Sequence, residues 1–297
     1  MITNIYLRIV ALTLLSLHVL ASHAEEQKVG LEIGISPFLP VKTLVQNYAP
    51  LREYLQNQFK EPVTIVSAPD YKTFYLGVHK HEYPIIISIA NLAYLAWADF
   101  GYIPLLQPVN FTQPVVVVVK TQTFKQLGDL RGKTVAMTDA LGILSMQGIQ
   151  MLREEGLEAE RDISIKHMQN HGAAVNLVIA GEATAAIVSN RAFMQMAPAI
   201  REQVKIVHTW EKVSAPGVVY MGSPDIPRKR LEKIKKAILE FAQNTPEGNK
   251  LMNDSGYGGL KSMEPADLQA LAPYGALLKS MLADEKKPAD NKSTNMK

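Results

Sequence analysis

The strongest constraint on the fold lies in residues 29–71, where two apolar strands flank one helix. Residues 29–35 form an apolar run of strand length, a proline-bearing turn follows, and residues 41–59 have the length of a helix. Residues 62–67 are rich in β-branched side chains and predict a second strand. Two strands joined by a helix form a β-α-β unit, which is typical of a parallel sheet.

The same alternation continues through the rest of the chain. Apolar strand-length runs recur at residues 85–89, 114–120, 133–137, 163–167, 185–188, 204–207 and 217–221. Helices are predicted between them, at residues 91–98, 143–155, 172–181 and 228–244. In the last of these, Leu231, Ile234, Ile238 and Phe241 lie on one face. Strands that alternate with helices predict mostly parallel sheets that helices cover on both faces.

An export signal precedes the first strand. Arg8 provides a positive charge, residues 9–20 are apolar, and small residues end at Ala24, after which we expect cleavage. The apolar run is shorter than the roughly 20 residues of a spanning helix, which favours a cleaved signal over a membrane anchor. The chain has no cysteine, hence no disulfide and no lipid-anchored cysteine. We therefore expect the mature protein in the bacterial periplasm.

Charge and composition exclude some partners. Without Arg8, 30 basic and 28 acidic residues remain, a net charge of +2. This balance favours neither nucleic acid nor a membrane surface as a partner. Residues 284–297 are almost entirely polar and predict a disordered tail.

Two proline-bearing segments, residues 111–120 and 208–217, are the places where the chain could cross between two lobes. The predicted division is residues 1–24 as signal peptide, 25–112 and 214–283 as lobe 1, 113–213 as lobe 2, and 284–297 as tail. Ligands of such folds bind at the carboxyl ends of the strands, here in the cleft between the lobes.

Six short words in the sequence carry a resemblance to a known family. They are GISP at residues 34–37, YAPLREYL at 48–55, APDY at 68–71, LGDLRGKTVA at 127–136, NH at 170–171 and TPEG at 245–248. In these words and their order the chain resembles the periplasmic substrate-binding proteins of phosphate, phosphite and phosphonate ABC importers. The resemblance covers nearly all of residues 29–263.

The resemblance implies an α/β, two-lobe periplasmic binding protein fold of type II-like architecture, with a mostly parallel sheet in each lobe and the ligand cleft between the lobes. It implies a solute-binding protein, expected to be a monomer without a cofactor, which captures a small anionic solute by lobe closure for an ABC permease. The alternative is an accessory protein that reports ligand to a membrane sensor or redox system. An enzyme is not expected, because the sequence has no G-x-S-x-G, H-E-x-x-H or Walker motif and no thiol.

The resemblance also implies which positions line the cleft. Tyr71 matches a family tyrosine, and His171 matches a family histidine. A second family tyrosine falls at Thr112, and a late acidic residue falls at Asn190. Two expected contacts thereby lose their usual chemistry.

A family Ser-Thr-Ser turn that meets the anion at a helix N-terminus falls at residues 142–144. Its hydroxyls are replaced by Gly142, Ile143 and Leu144, although Thr138 precedes the turn and Ser145 follows it. These losses predict weak binding of alkylphosphonates, and favour a smaller or more apolar ligand or a different pose of the anion.

Other roles stay open for several of these residues. Tyr71 could instead be a core tyrosine at a helix start, and His171 a buried structural histidine. Asn91 either caps the helix that follows it or contacts the ligand. Trp210 belongs either to the core or to the hinge and cleft rim.

Three further polar or aromatic positions are given structural roles. We interpret His79 and His81 as surface residues, because two residues apart on a helix they do not share a face. Asp139 is expected in a turn or at a helix N-cap, and Trp97 in the core.

Overall fold

Two separate β-sheets covered by helices make up the computed structural model, which describes residues 30–212 and 214–284. The strands are β1 (Leu31–Ile35), β2 (Val63–Ser67), β3 (Ile85–Ser88), β4 (Ile103–Pro108), β5 (Pro114–Val119), β6 (Thr134–Met137), β7 (Ser164–His167), β8 (Ala185–Ser189), β9 (Val204–Thr209), β10 (Val219–Gly222) and β11 (Leu260–Ser262). The helices are α1 (Val41–Phe59), α2 (Tyr71–His79), α3 (Ala90–Phe100), α4 (Ile143–Glu154), α5 (His171–Ile179), α6 (Asn190–Met194), α7 (Pro198–Arg201), α8 (Arg228–Asn244), α9 (Pro246–Asp254), α10 (Pro265–Gln269) and α11 (Ala272–Asp284). The predicted signal peptide and nearly all of the predicted tail lie outside the described residues.

The first sheet has the strand order β11-β4-β10-β3-β1-β2 and the second has the order β7-β6-β8-β5-β9. Parallel pairs join β1 to β2 and β3 in the first sheet, and β6 to β7 and β8 in the second. The remaining pairs are antiparallel, so both sheets are mixed where the sequence predicted mostly parallel pairing. Four of the five antiparallel pairs among the described residues involve β5 or β10, each of which enters after a crossing from the other sheet and runs against its neighbours. The fifth pair joins β11 to β4.

The chain crosses twice between the sheets, from β4 to β5 and from β9 to β10. The crossing segments pair with each other through an isolated antiparallel bridge between Thr112 and Ala215. The Thr112 N–H donates to the Ala215 carbonyl at 2.7 Å, and the Ala215 N–H donates to the Thr112 carbonyl at 3.2 Å. The two connections therefore form one short two-stranded link.

Apolar packing holds each lobe together. The face of α8 predicted from its spacing is buried: Leu231, Ile234, Ile238 and Phe241 are each at most 2% exposed. Trp210 packs in the core of the second lobe, which answers the open question about its role, and Trp97 is partly buried against the first core as expected. No helix in the described part of the chain is long and apolar enough to cross a membrane.

One apolar cluster extends from the first lobe into the second. It contains the core of the first sheet and also four side chains that flank or begin α4, namely Leu141, Ile143, Leu144 and Met146. All four are less than 9% exposed. The lobes therefore meet through a dry, apolar contact at the start of α4, beside the cavity between the lobes.

Candidate ligand-binding site

A small cavity lies between the two lobes, with walls from both. Its lining residues are Phe38, Tyr71, Ile89, Thr112, Thr138, Gly142, Ile143, Leu144, His171, Ser189, Ala192, Gln195, Gly217 and Tyr257. Its volume of about 20 Å³ is the space of a single water molecule. A larger ligand can enter only when the lobes separate.

Tyr71 is the first residue of α2 and is positioned by the cap of that helix. The Asp70 carboxylate accepts a hydrogen bond from the Thr73 N–H at 2.7 Å, which starts the helix directly after the β2 turn. Tyr71 is 1% exposed, and burial together with the negative charge of Asp139 raises the pKa of its hydroxyl far above the usual value. The hydroxyl therefore stays protonated and can donate a hydrogen bond to a ligand.

The start of α4 lies close to Tyr71. Its N-cap is Gly142, which offers no side-chain cap, and a Cβ on Gly142 would come within 3.1 Å of Tyr71 Cε2. The absence of a side chain lets the helix end approach the tyrosine. The first N–H groups of a helix have no partner within the helix and favour a negative charge. Those of Ile143 and Leu144, two cavity-lining residues, are available for this purpose.

The two hydroxyls expected near this turn bond to each other. Ser145 Oγ donates to the Thr138 carbonyl at 2.9 Å, and the two hydroxyl oxygens lie 2.9 Å apart. Because the Ser145 proton is used, Thr138 donates to Ser145 in this pair. Thr138 lines the cavity, whereas Ser145 is buried behind it. Ser145 therefore supports the turn, and Thr138 offers the cavity an acceptor.

His171 is the first residue of α5, which Asn170 caps by accepting from the Ala173 N–H at 3.0 Å. The ring is 4% exposed, and burial lowers its pKa to about 3. The ring is thus neutral at ordinary pH. Its Nδ1 lies 3.4 Å from the Ser189 N–H and accepts from it, so the proton resides on Nε2. His171 is therefore a buried histidine, as one interpretation of the sequence had it, and it is also part of the cavity wall.

Of the two residues expected beside the crossing segments, Thr112 belongs to the cavity wall and Asn190 does not. Thr112 lines the cavity and is 1% exposed. Asn190 does not line the cavity; its Oδ1 accepts from the Gln113 N–H at 3.1 Å, and its own N–H donates to the Gln113 carbonyl at 3.0 Å. Asn190 thereby ties α6 to the first crossing segment.

Asn91 does not cap α3, so the capping alternative is wrong. The helix begins at Ala90, one residue earlier than predicted, and Ile89 occupies the N-cap position without a side-chain bond. The fully buried Asn91 side chain instead donates from Nδ2 to the Leu141 carbonyl at 2.7 Å. It therefore joins the first lobe to the turn before α4, and it is not among the residues that line the cavity.

Two cavity residues carry no signal in the sequence. Gln195 follows the short helix α6, and Tyr257 lies between α9 and β11. Neither falls in a recognisable motif or in a periodic segment. Only a turn-forming glycine pattern, residues 256–259, marks the neighbourhood of Tyr257.

The remaining polar residues behave as structural groups. Asp139 Oδ1 accepts from the Leu141 N–H at 2.9 Å, which confirms its predicted turn role. His79 is exposed, and His81 bonds to Asp225 at 2.9 Å and to the Phe100 carbonyl at 3.1 Å. Within residues 30–212 and 214–284, no group of three or more metal-ligating side chains comes together.

The described residues of the cavity wall are electrically neutral. Among the described residues, its lining contains no carboxylate and no cationic side chain, and its histidine is neutral. A larger groove of about 710 Å³ lies between α1, α9 and residues 194–201, but exposed and half-buried polar side chains line most of it. The small cavity is the site whose wall contains the buried Tyr71 and His171 side chains and the start of α4.

Several solved structures have a similar fold. PhnD1 from Prochlorococcus marinus, solved in complex with methylphosphonate, aligns with a TM-score of 0.73 at 13% identity, over 84% of this chain and 98% of that chain. A binding protein component of an ABC phosphonate transporter from Pseudomonas aeruginosa aligns with a TM-score of 0.69 at 14% identity, over 86% and 99%. XAC2383 from Xanthomonas citri, bound to chloride ion, aligns with a TM-score of 0.61 at 18% identity, over 86% and 99%. The fold is therefore the two-lobe α/β fold of periplasmic binding proteins.

The family follows from the sequence itself. Residues 33–268 match the family model for the periplasmic substrate-binding protein of the phosphonate ABC transporter. The match spans most of the chain, so this protein belongs to that family, and the resemblance seen in the sequence is confirmed. No curated protein sequence matches the chain.

Proposed function

We propose that this protein captures a small oxyanion in the cavity between its lobes and delivers it to an ABC permease. The observation that carries the proposal is that residues with neutral donors, from both lobes, line one small cavity. The Tyr71 hydroxyl, the His171 Nε2–H and the first N–H groups of α4 all belong to residues of its wall. Fixed neutral donors at a helix N-terminus stabilise an anion without a counter-charge.

Closure about the two-stranded link at Thr112 and Ala215 would bring these donors together. Tyr71 lies on the first lobe and His171 on the second, so a ligand that bonds to both favours the closed form. The closed form then presents a surface composed of both lobes to the permease. The protein acts as a periplasmic monomer after loss of residues 1–24, and no observation favours the alternative of a sensor partner.

A thermal-shift screen of the mature protein tests the proposal. The panel contains phosphite, phosphate, methylphosphonate, small sulfonates and small carboxylates, with neutral sugars as the comparison. A ligand at about 100 times its dissociation constant adds about 2.7 kcal/mol to the free energy of unfolding. We expect at least one oxyanion and none of the sugars to raise the melting temperature.

The Tyr71→Phe variant then tests the site. It removes one hydrogen bond to a charged group, about 1.5–3 kcal/mol, and should weaken binding at least tenfold. Tyr54→Phe is the matched control, because Tyr54 lies on α1 outside the cavity and its variant should bind as the wild type does. Stabilisation by no oxyanion, or equal binding by Tyr71→Phe and wild type, would contradict the proposal.

A further inference from the structure

A second group of polar side chains lines the cavity, away from the start of α4. Thr112, Gln195 and Tyr257 form this group, here called the polar corner. Gln195 Nε2 lies 3.5 Å from the Tyr257 hydroxyl oxygen. Gly217 lies between Thr112 and Tyr257. A Cβ at that position would collide with Thr112 Oγ1 and lie 3.5 Å from the Tyr257 ring. The absence of a side chain at residue 217 therefore lets Thr112 approach the Tyr257 ring.

Two atoms of the polar corner are buried without a hydrogen-bond partner among the described residues, namely Thr112 Oγ1 and Gln195 Oε1. The orientation of the Gln195 amide is set by its neighbour. Its Nε2 lies 3.3 Å from the Arg191 carbonyl oxygen, which can only accept, so the amide nitrogen faces that carbonyl and Oε1 faces away. A buried acceptor without a donor is costly, and a donor from a ligand would satisfy it.

The charge near the polar corner decides which kind of donor fits. No carboxylate of the described residues lines the cavity. Arg191 Nε donates to the Phe111 carbonyl at 3.2 Å, next to Thr112, so the guanidinium lies at this end of the cavity. Burial raises the pKa of Tyr257 to about 12, and the hydrogen bond from Gln195 and then the positive charge of Arg191 oppose that rise. A positive charge with no carboxylate in the cavity wall repels an ammonium group. The donor that fits is neutral.

We infer that the polar corner binds a neutral hydroxyl group of the ligand, so that the ligand is a small oxyanion carrying one hydroxyl. The inference rests on the proposed function, which places the oxyanion at Tyr71, His171 and the start of α4. Thr112 Oγ1 and Gln195 Oε1 then serve as the specificity-determining atoms.

Calorimetry with three phosphonates of matched size tests the inference. The three are hydroxymethylphosphonate, ethylphosphonate and aminomethylphosphonate, which differ only in the terminal hydroxyl, methyl or ammonium. We expect the hydroxyl compound to bind at least tenfold more tightly than the other two. A parallel set of glycolate, propionate and glycine shows whether the oxyanion is a phosphonate or a carboxylate.

Two variants locate the effect. Thr112→Val removes the hydroxyl at constant shape and should lower the preference for the hydroxyl compound at least threefold. Gln195→Glu places a carboxylate in the corner and should reverse the preference towards aminomethylphosphonate or glycine. Gln58→Glu adds the same charge at an exposed position of α1 and should leave the preference unchanged.

The outcomes separate this inference from the proposed function. Binding of no oxyanion in either set would overturn both. Binding without preference for the hydroxyl, or with preference for the ammonium, would overturn the polar corner alone. A Gln195→Glu protein that folds, by its thermal transition, and keeps the wild-type preference would also overturn it, as would a Thr112→Val protein with unchanged preference.

Discussion

Lowering the pH should destabilise this protein through the buried His171 ring. The ring ordinarily has a pKa of 6.5, and burial lowers it to about 3 in the folded protein. Between these two values the unfolded chain binds a proton that the folded protein does not. The free energy of unfolding contributed by this group is therefore complete above pH 6.5 and is lost as the pH falls towards 3.

The size of the effect follows from the shift. In the window between the two pKa values, one proton changes the free energy of unfolding by about 1.4 kcal/mol per pH unit. From about pH 6.5 to about pH 5, His171 alone should cost about 2 kcal/mol of stability. This is a large part of the total stability of an ordinary domain.

Urea unfolding at several pH values measures this loss. We compare the wild type with His171→Gln, whose amide oxygen can still accept from the Ser189 N–H and which cannot be protonated. The variant should lose about 2 kcal/mol less than the wild type between about pH 6.5 and about pH 5. His79→Gln, at an exposed position, is the matched control and should behave as the wild type does. Equal pH dependence in wild type and His171→Gln would refute the argument that the ring is buried and neutral.

Three further predictions follow from the sequence and the fold. Leu144→Ser places a hydroxyl in the apolar contact between the lobes and should destabilise that contact by about 2–5 kcal/mol. The radius of gyration of the ligand-free variant, measured by X-ray scattering, should therefore exceed that of the wild type, and an unchanged radius would contradict an apolar closure. Gly217→Ala brings a Cβ against Thr112 Oγ1 and should destabilise by about 1–3 kcal/mol in urea unfolding, whereas Gly128→Ala, which meets only the flexible Gln126 side chain, should cost less. Mass spectrometry of a periplasmic extract should find Glu25 as the first residue, and an intact N-terminus in the membrane fraction would reject the predicted cleavage.

Periodicity in the sequence was sufficient for the elements that bury one face. The spacing of Leu231, Ile234, Ile238 and Phe241 predicted the buried face of α8, and the order of strands and helices predicted a two-lobe α/β fold. Strand direction was not predictable in the same way. The prolines indicated where the chain crosses between the sheets, but whether β5 and β10 then run parallel to their neighbours depends on the strands between which they enter, which local sequence does not encode.

The candidate site shows the same limit. Tyr71 and His171 were predicted because each follows a strand and opens a helix within a family word. Gln195 and Tyr257 reach the cavity from irregular segments of different lobes, so no local pattern in the sequence indicates that they meet there. The role of Asn91 was mistaken in part because α3 starts one residue earlier than its polar residue suggests.

A crystal structure of the protein with the tightest-binding oxyanion from the screen tests the central claim most directly. We expect the anion between the lobes, with its oxygens within hydrogen-bond distance of the Tyr71 hydroxyl, the His171 Nε2 and an N–H group at the start of α4. The lobes should be closed around the anion but lie slightly further apart than in the present structure, because its cavity of about 20 Å³ holds only one water molecule. An anion bound in the groove between α1 and α9, or bound between the lobes without contact to Tyr71 or His171, would contradict the account.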